Sequence, residues 1–229
     1  MNLSDDVLKS NCDVASCSAT AKLSEIMSPT VFIVDDDASA ARQASAVAES
    51  LGLATRTYTL AESFLAEHGD SRAGCVVAEA KLPGLGGVEL LEELSRRGGG
   101  CPVVITSAFA DVSLAVRAIR AGAIEVLQKP CSEPELAAAI RTALARDESV
   151  RARTAARRQA RERLQSLSEK ERQVLDHIMS GRTTKEIARA LDVSLRTVEL
   201  RRRAIFEKMQ TNQLASLVRT VLEASEHLE

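Results

Sequence analysis

Hydrophobic and polar positions along the chain fall into two regimes. Between residues 30 and 144, short apolar runs alternate with longer segments. The runs lie at 31–34, 53–58, 74–78, 102–106 and 124–127. The longer segments, at 38–51, 60–68, 87–97, 111–121 and from 133 onward, carry apolar residues at helical spacing. Five strands alternating with five helices need crossover connections, which predicts an α/β fold: a doubly wound, five-stranded parallel sheet covered on both faces. Gly52, Gly122 and the run 98–100 stand where helices should stop. In such sheets chemistry collects beyond the carboxyl ends of the strands.

The second regime is all helical. Residues 133–166 read as one long helix rich in Ala and Arg. Its apolar spacing starts with Leu136, Ile140 and Ala143, but the same register then meets Asp147, Arg157 and Arg161. That argues against an extended coiled coil and for a last sheet-packing helix that runs on as a basic linker. Four shorter helices are predicted at 169–179, 185–191, 195–209 and 214–224. Ser168 with Glu171 spells a capping box, and Ser194 is placed to cap the third of these helices. Leu191, Asp192, Val193 and Ser194 form a tight connector, the layout of a helix-turn-helix. The expected division is a flexible extension at 1–28, an α/β domain at 29–145, a helical basic linker at 146–166 and an all-α domain at 167–229. Met27 is a second candidate start.

Composition narrows the function classes. The 229 residues are 45 % hydrophobic and 27 % charged, with only 2 % aromatic, so aliphatic residues and Ala must build the cores. No stretch has the run of about eighteen apolar residues that a membrane span needs, and the first residues lack the basic and apolar regions of a secretory signal. The cysteines are Cys12, Cys17, Cys75, Cys101 and Cys131, an odd number that suits free thiols in a cytoplasmic protein. Residues 28–145 carry a net charge of −5 and residues 146–229 a net charge of +5. The asymmetry points to an anion-binding carboxyl-terminal half. No catalytic triad, metal-hydrolase motif or phosphate-binding glycine loop is present, so no enzymatic activity is expected.

Candidate chemistry clusters at the predicted strand ends. The first strand leads into Asp35, Asp36 and Asp37, the third ends at Glu79, the fourth at Thr106 and the fifth at Lys129-Pro130. Clustered carboxylates repel one another and call for a hard cation or an ammonium. A lysine and a hydroxyl beside them add donors for an anion, so the set suits Mg²⁺ with a phosphoryl-like group.

The sequences VDDD (34–37), KLPGLGGVELL (81–91), VVIT (103–106), AVRAIRAGA (115–123) and KP (129–130) together make residues 31–145 resemble the flavodoxin-like receiver domain of two-component response regulators. The domain order is similar to the FixJ/NarL subfamily. The resemblance implies that Asp35 and Asp36, with the carbonyl of Lys81, hold Mg²⁺. It also implies that Thr106 contacts a phosphoryl group, that Lys129 pairs with its charge, and that Lys129-Pro130 is cis. The chain departs from the family where the phosphoacceptor Asp is expected, because Glu79 stands there. One added methylene moves the carboxylate by about 1.5 Å, and in-line phosphoryl transfer depends on positioning. Three readings follow: Glu79 acts as a partial phospho-Asp mimic reaching toward Thr106 and Lys129, it pairs silently with Lys129, or it is itself phosphorylated. A second departure is Val126, where the family carries a swinging aromatic; Phe109 in the loop after the fourth strand is a candidate substitute. Cys131 beside Lys129 reads either as a redox-sensitive thiol or as a small buried hydrophobe.

LSEKERQVL (167–175), Gly181 and TKEIARALDVSLRTVELRRRAIFEKM (184–209) resemble the LuxR-type helix-turn-helix. Ile187, Ala188, Leu191, Val193, Val198, Ile205 and Met209 form the apolar set expected to pack the two central helices, leaving Lys208 among the polar positions. The resemblance makes Glu199, Leu200 and Arg203 base-facing in the major groove of double-stranded DNA. Thr183, Thr184, Lys185, Arg196, Thr197 and Arg202 are better placed for phosphates. Arg201 departs from the family's usual His. Leu214, Leu217, Val218, Val221 and Leu222 supply a row on the last helix, part of it an expected homodimer interface. The six arginines of 151–163 either attract phosphates or form a solvated face. The chain is therefore expected to be a DNA-binding transcriptional regulator, independent of phosphorylation. The rivals are an ordinary regulator switched by a histidine kinase and a protein-interaction module without specific DNA binding.

Overall fold

The computed structural model describes residues 29–67, 73–98 and 101–225, so the extension expected at 1–28 lies outside the described residues. Two compact units are formed, one up to Val150 and one from Arg151.

The first unit alternates β1 (Thr30–Val34), α1 (Ala38–Ser50), β2 (Ala54–Tyr58), α2 (Ala61–Glu67), β3 (Gly74–Glu79), α3 (Gly87–Arg96), β4 (Val103–Ser107), α4 (Val112–Ala121) and β5 (Glu125–Gln128), and then enters α5 (Glu133–Gln165). All strand pairs are parallel, in the order β2-β1-β3-β4-β5. The order reverses between β1 and β3, so a crevice opens where those two strands end.

The alternation of side chains along each strand divides the core in two. Phe32, Val34, Val76, Ala78, Val103 and Ile105 face α2, α3 and α4, where Phe64, Val88, Leu90, Leu91 and Leu94 are buried. Val31, Ile33, Cys75, Val77, Val104 and Leu127 face α1 and α5, against Val47, Ala48, Leu136, Ala139 and Ile140. The few aromatics concentrate in the first layer, with Phe64 between Phe32 and Tyr58 at ring-centroid distances of 5.5 Å to each. Gly122 closes α4 at φ 102°, a left-handed cap that a side chain would strain.

The second unit holds the end of α5 and the helices α6 (Glu169–Met179), α7 (Thr184–Ala190), α8 (Leu195–Lys208) and α9 (Leu214–Ser225). The helices pack around Val174, Leu175, Ile178, Ile187, Ala188, Val198, Ile205, Met209 and Leu217. Both ends of the expected linker are built into the units. Asp147 is buried and accepts the Gly74 N–H at 3.1 Å, at the foot of β3. Farther on, Leu164 packs on the second core and Arg161 donates to the Ala224 carbonyl at 3.1 Å. These residues are polar or single apolar positions whose partners are distant in sequence, so spacing alone does not reveal the pairing.

Candidate functional sites: an acidic strand-end pocket and a helix-turn-helix surface

The pocket is built by the sheet. Asp35 follows β1, Glu79 ends β3, Thr106 lies in β4 and Lys129 follows β5, so the parallel register brings four distant side chains to one rim. The backbone is held there by pairing: Lys129 N–H donates to the Ser107 carbonyl at 2.8 Å, and Ala80 N–H to the Thr106 carbonyl at 2.8 Å. Gly87 at the start of α3 permits close approach, since a Cβ there would lie 2.4 Å from the Glu79 carbonyl oxygen.

Lys129 sits between the two acids. Its Nζ is 2.6 Å from Asp35 Oδ2 and 2.5 Å from Glu79 Oε2. The remaining carboxylate oxygens also have donors: Asp37 N–H reaches Asp35 Oδ1 at 3.0 Å, and Lys81 N–H reaches Glu79 Oε1 at 3.3 Å. Asp35, Glu79 and Thr106 are all buried. Burial works against the Lys129 charge, but the hydrogen bonds it donates to Asp35 and Glu79 and their negative charges outweigh that and hold the ammonium above the ordinary lysine range.

Glu79 thus reaches Lys129 as expected but does not reach Thr106. The Thr106 hydroxyl instead donates to the Ala78 carbonyl at 3.4 Å. The donors assigned to Mg²⁺ do not fit that ion as arranged. Both Asp35 oxygens are engaged by protein donors, Asp36 is exposed, and among the described residues no three His, Cys, Asp or Glu side chains converge to hold an ion. Around the mouth, Lys81 Nζ lies 5.4 Å from the centre of the Phe109 ring, and Phe109 is 74 % exposed. Val126 is half-buried in the first core layer. Burial pushes the Cys131 thiol up, and the nearby Lys129 charge only partly opposes that, so its thiolate is disfavoured.

The second surface lies on α8. Ser194 caps it, accepting the Thr197 N–H at 3.1 Å, and Ser194 and Thr197 hydroxyls are 2.8 Å apart. Val198, Ile205 and Met209 are buried, which turns Glu199, Leu200 and Arg203 outward. Leu200 is 60 % exposed in the middle of a basic face. Lys185 on α7 and Arg196 on α8 are also exposed, while Thr184, Thr197, Arg201 and Arg202 are half-buried. Thr183 has a role that spacing did not reveal: its N–H and hydroxyl both bind Glu186 Oε2, at 2.7 and 2.8 Å, in a capping box for α7.

Two domain families match the chain: the response regulator receiver domain over residues 31–141, and the bacterial regulatory proteins of the luxR family over residues 165–221. The transcriptional regulatory protein FixJ of Azorhizobium caulinodans is 37 % identical over 192 residues, covering 84 % of this chain and 91 % of its own. The response regulator protein TodT of Pseudomonas putida is 32 % identical, covering 87 % and 88 %. The chain belongs to the response regulators with a LuxR-type DNA-binding domain. Among solved structures, the response regulator StyR superposes with a TM-score of 0.78 at 35 % identity, covering 86 % of this chain and 99 % of that one. Full-length FixJ from B. japonicum gives 0.53 at 34 % identity, covering 86 % and 97 %.

This response regulator carries an internal brace that the motif pattern left unassigned. Lys208, at the end of α8, is exposed yet reaches back to α6: its Nζ binds Glu171 Oε2 at 2.7 Å and the Ser166 carbonyl at 3.2 Å. Glu171 also accepts the Ser168 N–H at 2.7 Å. One carboxylate therefore caps α6 and anchors α8. The hydrogen bond from Lys208, aided by Ser168 and against burial, holds the Glu171 carboxyl below the usual range. A carboxyl lowered by folding stabilises the fold above its unfolded pKa of about 4.3, and that stabilisation is lost as pH falls through the lower folded value. Acid unfolding of the second unit, followed by circular dichroism, should show this loss, and Lys208→Met should move the acid midpoint upward in pH. An unmoved midpoint would show that the pair adds nothing. No helix among the described residues is long and apolar enough to cross a membrane.

Proposed function

We propose that this response regulator binds specific double-stranded DNA without needing a phosphoryl group, with Glu79 serving as a partial phospho-Asp mimic. The observation that carries the reading is the Glu79–Lys129 contact of 2.5 Å. Lys129 is the group expected to pair with a phosphoryl charge, and Glu79 already supplies it with a negative partner. The mimicry is confined to that half, because Thr106 keeps its hydrogen bond to Ala78.

On the output side, Glu199, Leu200 and Arg203 read base edges, with Arg203 donating to guanine, Glu199 accepting from cytosine and Leu200 touching a thymine methyl. Lys185, Thr184, Arg196, Thr197 and Arg202 contact phosphates. A second copy joins through α9, where Leu214 and Leu222 are exposed, to read two half-sites.

The test is operator binding by the unmodified protein, Glu79→Ala and Glu79→Asp, each with and without acetyl phosphate and Mg²⁺. The wild type should bind without a donor, and Glu79→Ala should bind about tenfold more weakly, within the usual span of coupling between sites. Only Glu79→Asp should respond to the donor. Equal binding by all three would make the pocket silent. A wild-type acyl phosphate that depends on Glu79 would instead establish an ordinary histidine-kinase-controlled switch. Binding to all sequences alike would favour a protein-interaction module.

A further inference from the structure

Receivers are expected to hold a divalent ion at the site where this chain places Asp35, Asp36 and the Lys81 carbonyl. We infer that Lys129 is the resident cation of this pocket, and that the extra methylene of Glu79 keeps a divalent ion out.

The first ground is occupancy of the donors. Asp35 presents one oxygen to Lys129 Nζ at 2.6 Å and the other to Asp37 N–H at 3.0 Å. Glu79 presents one to Lys129 Nζ at 2.5 Å and the other to Lys81 N–H at 3.3 Å. Mg²⁺ demands near-octahedral oxygen geometry at about 2.0–2.1 Å and gives up its waters reluctantly. To take Asp35 it must displace the ammonium or bind beside it, where two positive groups repel across a buried, weakly screening site. Asp36 is the acidic side chain of the three left facing solvent, and one exposed carboxylate is a poor Mg²⁺ ligand set.

The second ground is that the backbone is held at both ends of the bridge. The Lys129 backbone is tied to Ser107 in the sheet, and that of Glu79 lies between Thr106 across the ladder and Gly87 behind it. With both ends of the bridge pinned, side-chain length decides whether it closes. Glutamate closes it. Aspartate, drawn back by about 1.5 Å, would leave Lys129 in contact with Asp35 alone and would free its own oxygens toward Asp36. The methylene that spoils phosphoryl geometry is then the same one that replaces the metal with a lysine.

The inference is tested by titrating Mn²⁺, a spectroscopic substitute for Mg²⁺, into the full chain and following free Mn²⁺ by electron paramagnetic resonance. The wild type should show no saturable site in the millimolar range. Glu79→Asp should bind Mn²⁺ at least roughly tenfold more tightly, the scale on which groups around a metal site alter affinity, and Asp36→Ala in that background should abolish the gain. Stoichiometric Mn²⁺ binding by the wild type overturns the inference, and that arm needs no variant to fold. Equal affinities in wild type and Glu79→Asp overturn it as well, since length would then not be the barrier. The outcome is separable from donor-free DNA binding: a wild type that binds both Mn²⁺ and its operator removes this inference and leaves the proposed function standing.

Discussion

Replacing Lys129 with Met should destabilise the first unit by about 3–5 kcal/mol, the usual result when one partner of a buried ion pair is removed. Lys129 is the shared partner of Asp35 and Glu79, which are 6 % and 8 % exposed, so its loss leaves two buried carboxylates facing each other without a counter-charge. Chemical denaturation followed by far-ultraviolet circular dichroism measures the effect. The cause can be separated from lost packing by adding Glu79→Gln, which removes one of the stranded charges. The double variant should recover a substantial part of the stability. If it is no more stable than Lys129→Met alone, repulsion between the carboxylates is not what destabilises the pocket. The wild type offers a second check through pH. Folding raises the Lys129 pKa, so its stabilising contribution is present below the unfolded lysine pKa of about 10.4 and fades as pH rises through the higher folded value. Stability of the wild type should therefore decline in strong alkali more than that of the double variant.

Arg203→Ala should cost about 1–3 kcal/mol on the preferred operator, roughly tenfold to a hundredfold in affinity, and should relax discrimination at one base position. Arg203 shares the outward face of α8 with Glu199 and Leu200, because Val198, Ile205 and Met209 occupy the inward one. Lys185→Ala provides the contrast. A phosphate contact carries no base information, so affinity should fall alike for all sequences, and the logarithmic salt slope should shrink by about 0.9. Fluorescence anisotropy with an operator and single-base variants, at several salt concentrations, distinguishes the two. If Lys185→Ala alters base preference and Arg203→Ala does not, the assignment of α8 to the groove is reversed.

The brace between Lys208 and Glu171 ties α8 to α6 within the second unit. The orientation of Lys208 matters for design: although it lies on the same helix as Arg201, Arg202 and Arg203, substituting it would remove the ion pair that ties α8 to α6.

Much of this architecture was legible in the linear pattern, because period-two and period-3.6 burial are local consequences of strand and helix geometry. The alternation between residues 30 and 144 implied a parallel doubly wound sheet, and the rule that chemistry gathers at strand ends singled out Asp35, Glu79, Thr106 and Lys129. The apolar spacing of α8 likewise separated Val198, Ile205 and Met209 from Glu199, Leu200 and Arg203, since one helix can bury only one face. The tertiary structure decided what pattern cannot encode: which donor each polar group chooses among several within reach. It turned Thr106 to Ala78 rather than Glu79, drew Lys129 between two acids, gave Thr183 to Glu186 and Lys208 to Glu171, and buried Asp147 beneath β3. Each of these choices depends on small differences in atomic position between residues up to 94 positions apart. Hydrogen bonds and ion pairs are short-ranged and directional, whereas hydrophobic burial is neither, so periodicity reveals the core and only the folded chain reveals the pairing.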